Sequence, residues 1–137
     1  MHSKVSVVVS CIDYRFWPET LKLLEEKFGA FDLVELAGGS KNIASPKDSM
    51  DRHAMLESIK VSIDLHQAKT IILTNHLDCG AYGGSSQFRS HDEELAFHAK
   101  ELAHAKEIVR EKFPHHDIIT VFINKDKHGT VELIYEA

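Results

Sequence analysis

The sequence predicts an α/β fold: a mostly parallel β-sheet of about five strands flanked by helices, with an antiparallel C-terminal edge hairpin. Three observations predict it. Short β-branched apolar runs alternate along the chain with segments of helical period, the pattern of a sheet covered by helices on both faces. The runs are continuous in apolar character, as strands buried on both sides are. The last two runs are separated only by the turn-like stretch Asn124-Lys125-Asp126-Lys127-His128-Gly129, which returns the fifth strand beside the fourth.

Residues 4–10 carry Val5, Val7, Val8 and Val9 and read as the first strand. Pro18 suits the first turn of a helix, and Glu19 is favoured there by the helix dipole. Leu21, Leu24 and Phe28 recur at helical spacing, and Gly29 is a C-terminal stop. Residues 32–37 read as a second strand ending at Gly38-Gly39, followed by a loop carrying Ser45-Pro46. Residues 49–67 read as a helix with Met55, Leu56, Ile59 and Ile63 on one face. Thr70 to Thr74 is a third strand, and Gly80, Gly83 and Gly84 break the chain into a loop. Residues 92–112 read as a long amphipathic helix ended by Phe113-Pro114. Ile118 to Ile123 and Thr130 to Tyr135 are the fourth and fifth strands.

A chain of 137 residues with no repeat or linker is one domain, 1–137, long enough for a core without disulfide staples. With 43% hydrophobic and 27% charged residues it has the composition of a soluble globular protein. A net charge of -5 leaves no basic excess for a phosphate backbone, so no nucleic-acid partner is expected. No apolar run approaches a membrane span, and Met1-His2-Ser3-Lys4 lacks the pattern of a signal peptide. A cytoplasmic location is the expectation, where two cysteines stay reduced.

The chemistry gathers at two strand ends. Ser10-Cys11-Ile12-Asp13-Tyr14-Arg15 follows the first apolar run, and Asn75-His76-Leu77-Asp78-Cys79-Gly80 follows the third. Sites in parallel α/β sheets form outside the carboxyl ends of strands. Cys11, His76 and Cys79 offer two thiolates and an imidazole, a set that suits Zn2+ and keeps a fourth position for water. Two thiolates cancel the metal's charge, so an acceptor for the water proton would help. Asp13 is placed for that, and Arg15 could hold Asp13 ionised and keep it from binding the metal. Gly38 and Gly39 let the backbone approach a small ligand closely and, with Gly80, form the expected substrate pocket. Asp78 could steady His76 or the loop, or cap a turn.

Other features have plainer readings. His98 and His104 fall in a polar helical stretch and His115-His116 in a turn, so nearly all ten histidines are expected at the surface. His53 and His91 are conceivable proton shuttles. Gly83-Gly84 reads as a tight turn, and Tyr14, Phe16 and Trp17 as core or interface packing. There is no Cys-x-x-Cys redox pair, no Cys-x5-Arg phosphatase loop (Trp17 occupies the arginine position) and no glycine-rich nucleotide motif.

At these residues the chain resembles the β-class carbonic anhydrases. Cys11-Ile-Asp13-Tyr-Arg15 is similar to that family's Cys-x-Asp-x-Arg motif, and His76-Leu-Asp-Cys79-Gly80 to its His-x-x-Cys-Gly motif. Ala37-Gly38-Gly39 looks like the stretch between them, and Lys127 to Leu133 like the closing hairpin. The resemblance implies reversible hydration of carbon dioxide to bicarbonate and a proton, with Cys11, His76 and Cys79 on zinc and a zinc-bound hydroxide attacking carbon. Asp13 would accept a hydrogen bond from it, held by Arg15. It also implies a homodimer or higher homo-oligomer. The chain departs from the family in its short N-terminal segment, with ten residues before Cys11, and in Glu35-Leu36, where Arg-Asn is common. A related zinc hydrolase of carbon disulfide or carbonyl sulfide, and a non-catalytic zinc-binding domain on the same fold, are the alternatives.

Overall fold

The computed structural model describes residues 5–135. Five strands form one sheet: β1 (Ser6–Ser10), β2 (Phe31–Glu35), β3 (Thr70–His76), β4 (Asp117–Lys125) and β5 (Val131–Tyr135). Their order is β2-β1-β3-β4-β5, parallel except for the antiparallel pairing of β4 with β5. The predicted α/β class and edge hairpin are both present. Lys4, assigned to the first strand by the sequence reading, lies outside the described residues.

Side chains alternate across the sheet, so each strand feeds two cores. Val7, Val9, Ile71 and Leu73 point to one face, packed by α2 (Lys41–Ala44), α3 (Ser49–His66) and α4 (His91–Lys112). Val8, Ile72, Val121 and Ile123 point to the other, where Leu24 of α1 (Trp17–Phe28) and Phe16 cover them. Each buried aliphatic side chain contributes about 1.5–3 kcal/mol, so the two-sided strands are the main store of stability.

The helix ends follow from local chemistry. Pro18 lies in the first turn of α1, and Gly29 leaves it at φ 83°. The Asp48 carboxylate accepts the Met50 N–H at 2.8 Å to start α3, and the Ser90 hydroxyl accepts the Glu93 N–H at 3.1 Å to start α4. Several boundaries differ from the sequence reading by a residue or two, and those around the site matter most. β2 ends at Glu35, because residues 36–39 turn sharply, and the stretch expected to be all loop contains the short helix α2. β3 runs on through Asn75 to His76, carried by β4, which pairs His76 with Ile123.

That extension places the site. The chain passes from β1 outward to β2, then crosses back to β3 on the other side of β1. The connections therefore diverge between β1 and β3 and open a crevice at their carboxyl ends. β1 leads into Cys11 at this crevice, and β3 ends there at His76.

Candidate metal centre

Cys11, His76 and Cys79 are brought together: one sulfur or nitrogen atom from each lies within 4.8 Å of the others, and all three residues are buried. His76 Nδ1 faces the Leu77 carbonyl oxygen at 2.7 Å, which fixes the ring with Nδ1 as donor. Nε2 is then left with a lone pair, and this buried atom has no hydrogen-bond partner. A bare imidazole nitrogen beside two thiols fits a thiophilic cation such as zinc. The ring cannot easily swing away, because Phe16 stacks on it with centroids 4.4 Å apart.

The thiols share one proton in the absence of a cation. Cys11 is pushed well below its ordinary value, first by the hydrogen bond from Cys79 and further by the Gly38 amide, against the opposing effect of burial. Cys79 is pushed up, first by that same hydrogen bond and then by burial. One thiolate thus forms readily, and the second needs a positive charge to replace its proton. The Gly38 N–H donates to Cys11 Sγ at 3.2 Å, so the glycine turn contributes to the anion's environment.

That turn has almost no tolerance. A Cβ on Gly39, at φ +53°, would sit 2.9 Å from the Thr74 carbonyl oxygen and 3.1 Å from the Cys11 nitrogen. Gly38, at φ +93°, would press on Ala81 Cβ at 3.1 Å. The bare backbone lets this turn lie against the ends of β1 and β3. The result is a cavity of about 360 Å³ lined by Cys11, Ile12, Asp13, Tyr14, Arg15, Ala37, Gly38, Gly80 and Ala81. Gly38 and Gly80 line this cavity, whereas Gly39 lies beneath it, against the strand ends.

Asp13 stands at the edge of the ligand trio, with Oδ2 3.8 Å from His76 Nε2. Arg15 grips it from three directions. Its backbone N–H donates to Oδ1 at 2.9 Å, Nε bridges both oxygens at 3.1 and 3.2 Å, and Nη2 donates to Oδ2 at 2.7 Å. The Arg15 hydrogen bonds hold the Asp13 carboxyl down at about 2, so it is an anion at neutral pH. Asp78 meets Arg15, not His76: Nη1 donates to Asp78 Oδ2 at 2.9 Å and Nη2 to the Asp78 carbonyl at 3.0 Å.

Residues 1–135 match the family described as "Putative carbonic anhydrase". The chain belongs to that family. An uncharacterized protein of Rickettsia conorii is 34% identical over 137 residues, covering 96% of this chain and 72% of the relative. Among solved structures, β-carbonic anhydrase isoform I from Trichomonas vaginalis superposes with a TM-score of 0.60 at 19% identity, covering 98% of this chain and 83% of that one. A carbonic anhydrase from Glaciozyma antarctica gives 0.56 at 18% identity, covering 96% and 81%. At these identities the structures establish the fold.

Within this carbonic anhydrase family member, three residues carry more than the sequence suggested. His98, expected at the surface, is 0% exposed. It sits among the rings of Tyr82, Phe97 and Phe122, and its Nδ1 faces Asn75 Nδ2 at 3.2 Å. The helix around it is polar, but Phe97 beside it and the rings of Tyr82 and Phe122 from other elements bury it. Phe16 is core packing, as expected, yet it also supports His76. Glu35 lies close enough to the site that burial and the charge on Cys11 raise its carboxyl. Of the two conceivable shuttles, His91 has Nε2 2.9 Å from Asn124 Oδ1.

Proposed function

We propose that this chain is a zinc-dependent β-class carbonic anhydrase, interconverting carbon dioxide with bicarbonate and a proton. The observation that carries it is the buried, unpartnered Nε2 of His76 between two thiols, with an ionised carboxylate 3.8 Å away. Cys11, His76 and Cys79 would hold the metal. Zinc, when bound there, supplies the Lewis acidity that makes water a nucleophile near neutral pH. Everything else is done by side chains. Asp13 accepts a hydrogen bond from the attacking water through Oδ2 and aims its lone pair at the substrate carbon. Arg15 keeps Asp13 ionised and occupies both its oxygens, so Asp13 stays out of the ligand set. Ile12, Ala37 and Ala81 give the pocket an apolar wall suited to a small linear molecule without charge.

Metal analysis and stopped-flow hydration of carbon dioxide test this on wild type and Asp13→Ala together. Wild type should carry about one zinc per chain and be active across about pH 6.5 to 9, bracketing the near-neutral ionisation of water on zinc. Asp13→Ala should keep its zinc and lose about 100-fold in kcat. Zinc-loaded wild type with no activity above buffer sinks the proposal. Faster turnover of carbonyl sulfide or carbon disulfide in the same assay would move the substrate assignment to the related hydrolase. A homodimer belongs to the same reading, supported by the exposed apolar side chains beside edge strand β2. Both cysteines are free thiols, which suits the reducing cytoplasm. Among the described residues no helix is long and apolar enough to cross a membrane.

A further inference from the structure

Glu94 has no place among the ligands or the reacting groups, yet its side chain is only 2% exposed. A carboxylate at that depth persists where hydrogen bonds replace its lost water. Both oxygens reach the loop that carries Asp78 and Cys79. Oε2 accepts the Asp78 backbone N–H at 2.8 Å, and Oε1 accepts the Ser85 hydroxyl at 2.8 Å. Ser85 closes the ring by donating its own N–H to Asp78 Oδ1 at 2.7 Å. At the centre of this ring Asp78 has φ +57°, a left-handed conformation that a residue with a Cβ adopts when its surroundings hold it there.

What Asp78 then does is anchor Arg15. The Asp13 and Arg15 side chains are partly open to solvent, 15% and 38% exposed. Their mutual hydrogen bonds span two residues of one loop, so they fix each side chain relative to the other but do not tie the pair to the end of β3. That tie comes from Arg15's second set of partners, the Asp78 carboxylate and carbonyl. Order therefore passes outward, from a buried carboxylate to a strained backbone, to a guanidinium, to Asp13.

We propose that Glu94 is a positioning residue for Asp13, acting through Asp78 and Arg15. This rests on the carbonic anhydrase reading for its effect on turnover, though not for its effect on Arg15. The test uses the full zinc-loaded chain with Glu94→Ala and Glu94→Gln. Four quantities are followed: the Arg15 Nε–H resonance in a 15N-labelled sample, kcat and KM for carbon dioxide hydration, and the thermal midpoint. In wild type the Arg15 resonance should be sharp and protected. Glu94→Ala should broaden it and lower kcat about tenfold, the scale of losing support around a metal site, with KM unchanged. Glu94→Gln keeps an acceptor for the Asp78 N–H and a donor for the Ser85 oxygen, so it should restore both. Should Glu94→Ala fail to fold, Ser85→Ala opens the same ring and should shift the resonance and kcat in the same direction.

The inference is overturned if folded Glu94→Ala keeps the wild-type Arg15 signal, or if kcat falls while that signal stays intact. It is overturned equally if Ala and Gln variants lose activity only in proportion to lost folded protein. A wild type inactive on carbon dioxide, whose Arg15 signal still responds to Glu94→Ala and recovers in Glu94→Gln, would sink the functional reading and leave the positioning role standing.

Discussion

Single side chains decide whether the trio Cys11, His76 and Cys79 is a site or only a cluster. His76 presents Nε2 because Leu77 engages Nδ1 and Phe16 fixes the ring plane. Phe16→Leu keeps an apolar side chain but loses the stacked face, so zinc affinity measured by chelator competition should weaken about tenfold. Phe16→Tyr should stay near wild type, and equal affinities in both variants would remove Phe16 from the account. His98 gives a second prediction at this scale. Burial lowers its pKa to about 4, against about 6.5 in an unfolded chain. Between those values the unfolded state binds the extra proton, so stability is full above about pH 6.5 and falls as pH drops towards 4. The shift corresponds to about 3 kcal/mol. Denaturant titrations from pH 7 to 4 should show that loss, and His98→Phe should flatten the profile; an unchanged slope would contradict the assignment.

At the scale of elements, the site is a product of strand lengths. β3 outruns β1, whose pairing with it ends at Val9 and Leu73, and β4 escorts the extra residues to His76. The turn at 38–40 fills the step left at the end of β1, with the Ser40 hydroxyl and amide both donating to the Thr74 carbonyl. Gly39→Ala should therefore cost about 3 kcal/mol, combining left-handed strain with a backbone clash. Urea unfolding measures this, and a loss below about 0.5 kcal/mol, the scatter of neutral surface changes, would mean the turn shifts freely. The sequence located this turn from its glycine pair but placed the pair at the end of a longer strand. Periodicity cannot separate the last strand residues from an extended turn.

For the whole molecule, the feature that matters is the exposed apolar surface at β2. This is an edge strand with Leu33 exposed, and the neighbouring outer face of α3 exposes Val61 and Leu65, at 52% and 68%. The proposed homodimer would cover these side chains. Sedimentation at micromolar concentration should give twice the chain mass, and Leu65→Glu should shift it towards the monomer. A wild type that stays monomeric at working concentrations would refute the dimer.

The sequence by itself determined the fold class and singled out Cys11, His76 and Cys79, which the fold brings together, for physical reasons. Two-sided burial writes continuous apolar runs into parallel strands, and chemistry placed at strand ends falls beside those runs, where Cys11 and His76 stand. His76, Cys79 and the pair Asp13 and Arg15 are local in the chain, so their spacing is readable. Tertiary structure alone decided the rest. Arg15 and Asp78 are 63 positions apart, and only the adjacency of β1 and β3 brings them together. Glu94 follows Asp92 and Glu93 in a first helical turn, where acidic residues are commonplace, and nothing local marks it as the buried one. His98 sits in a polar stretch and is buried by rings from distant elements. Burial of a polar group depends on what the fold places over it, and that is a long-range property no local pattern carries.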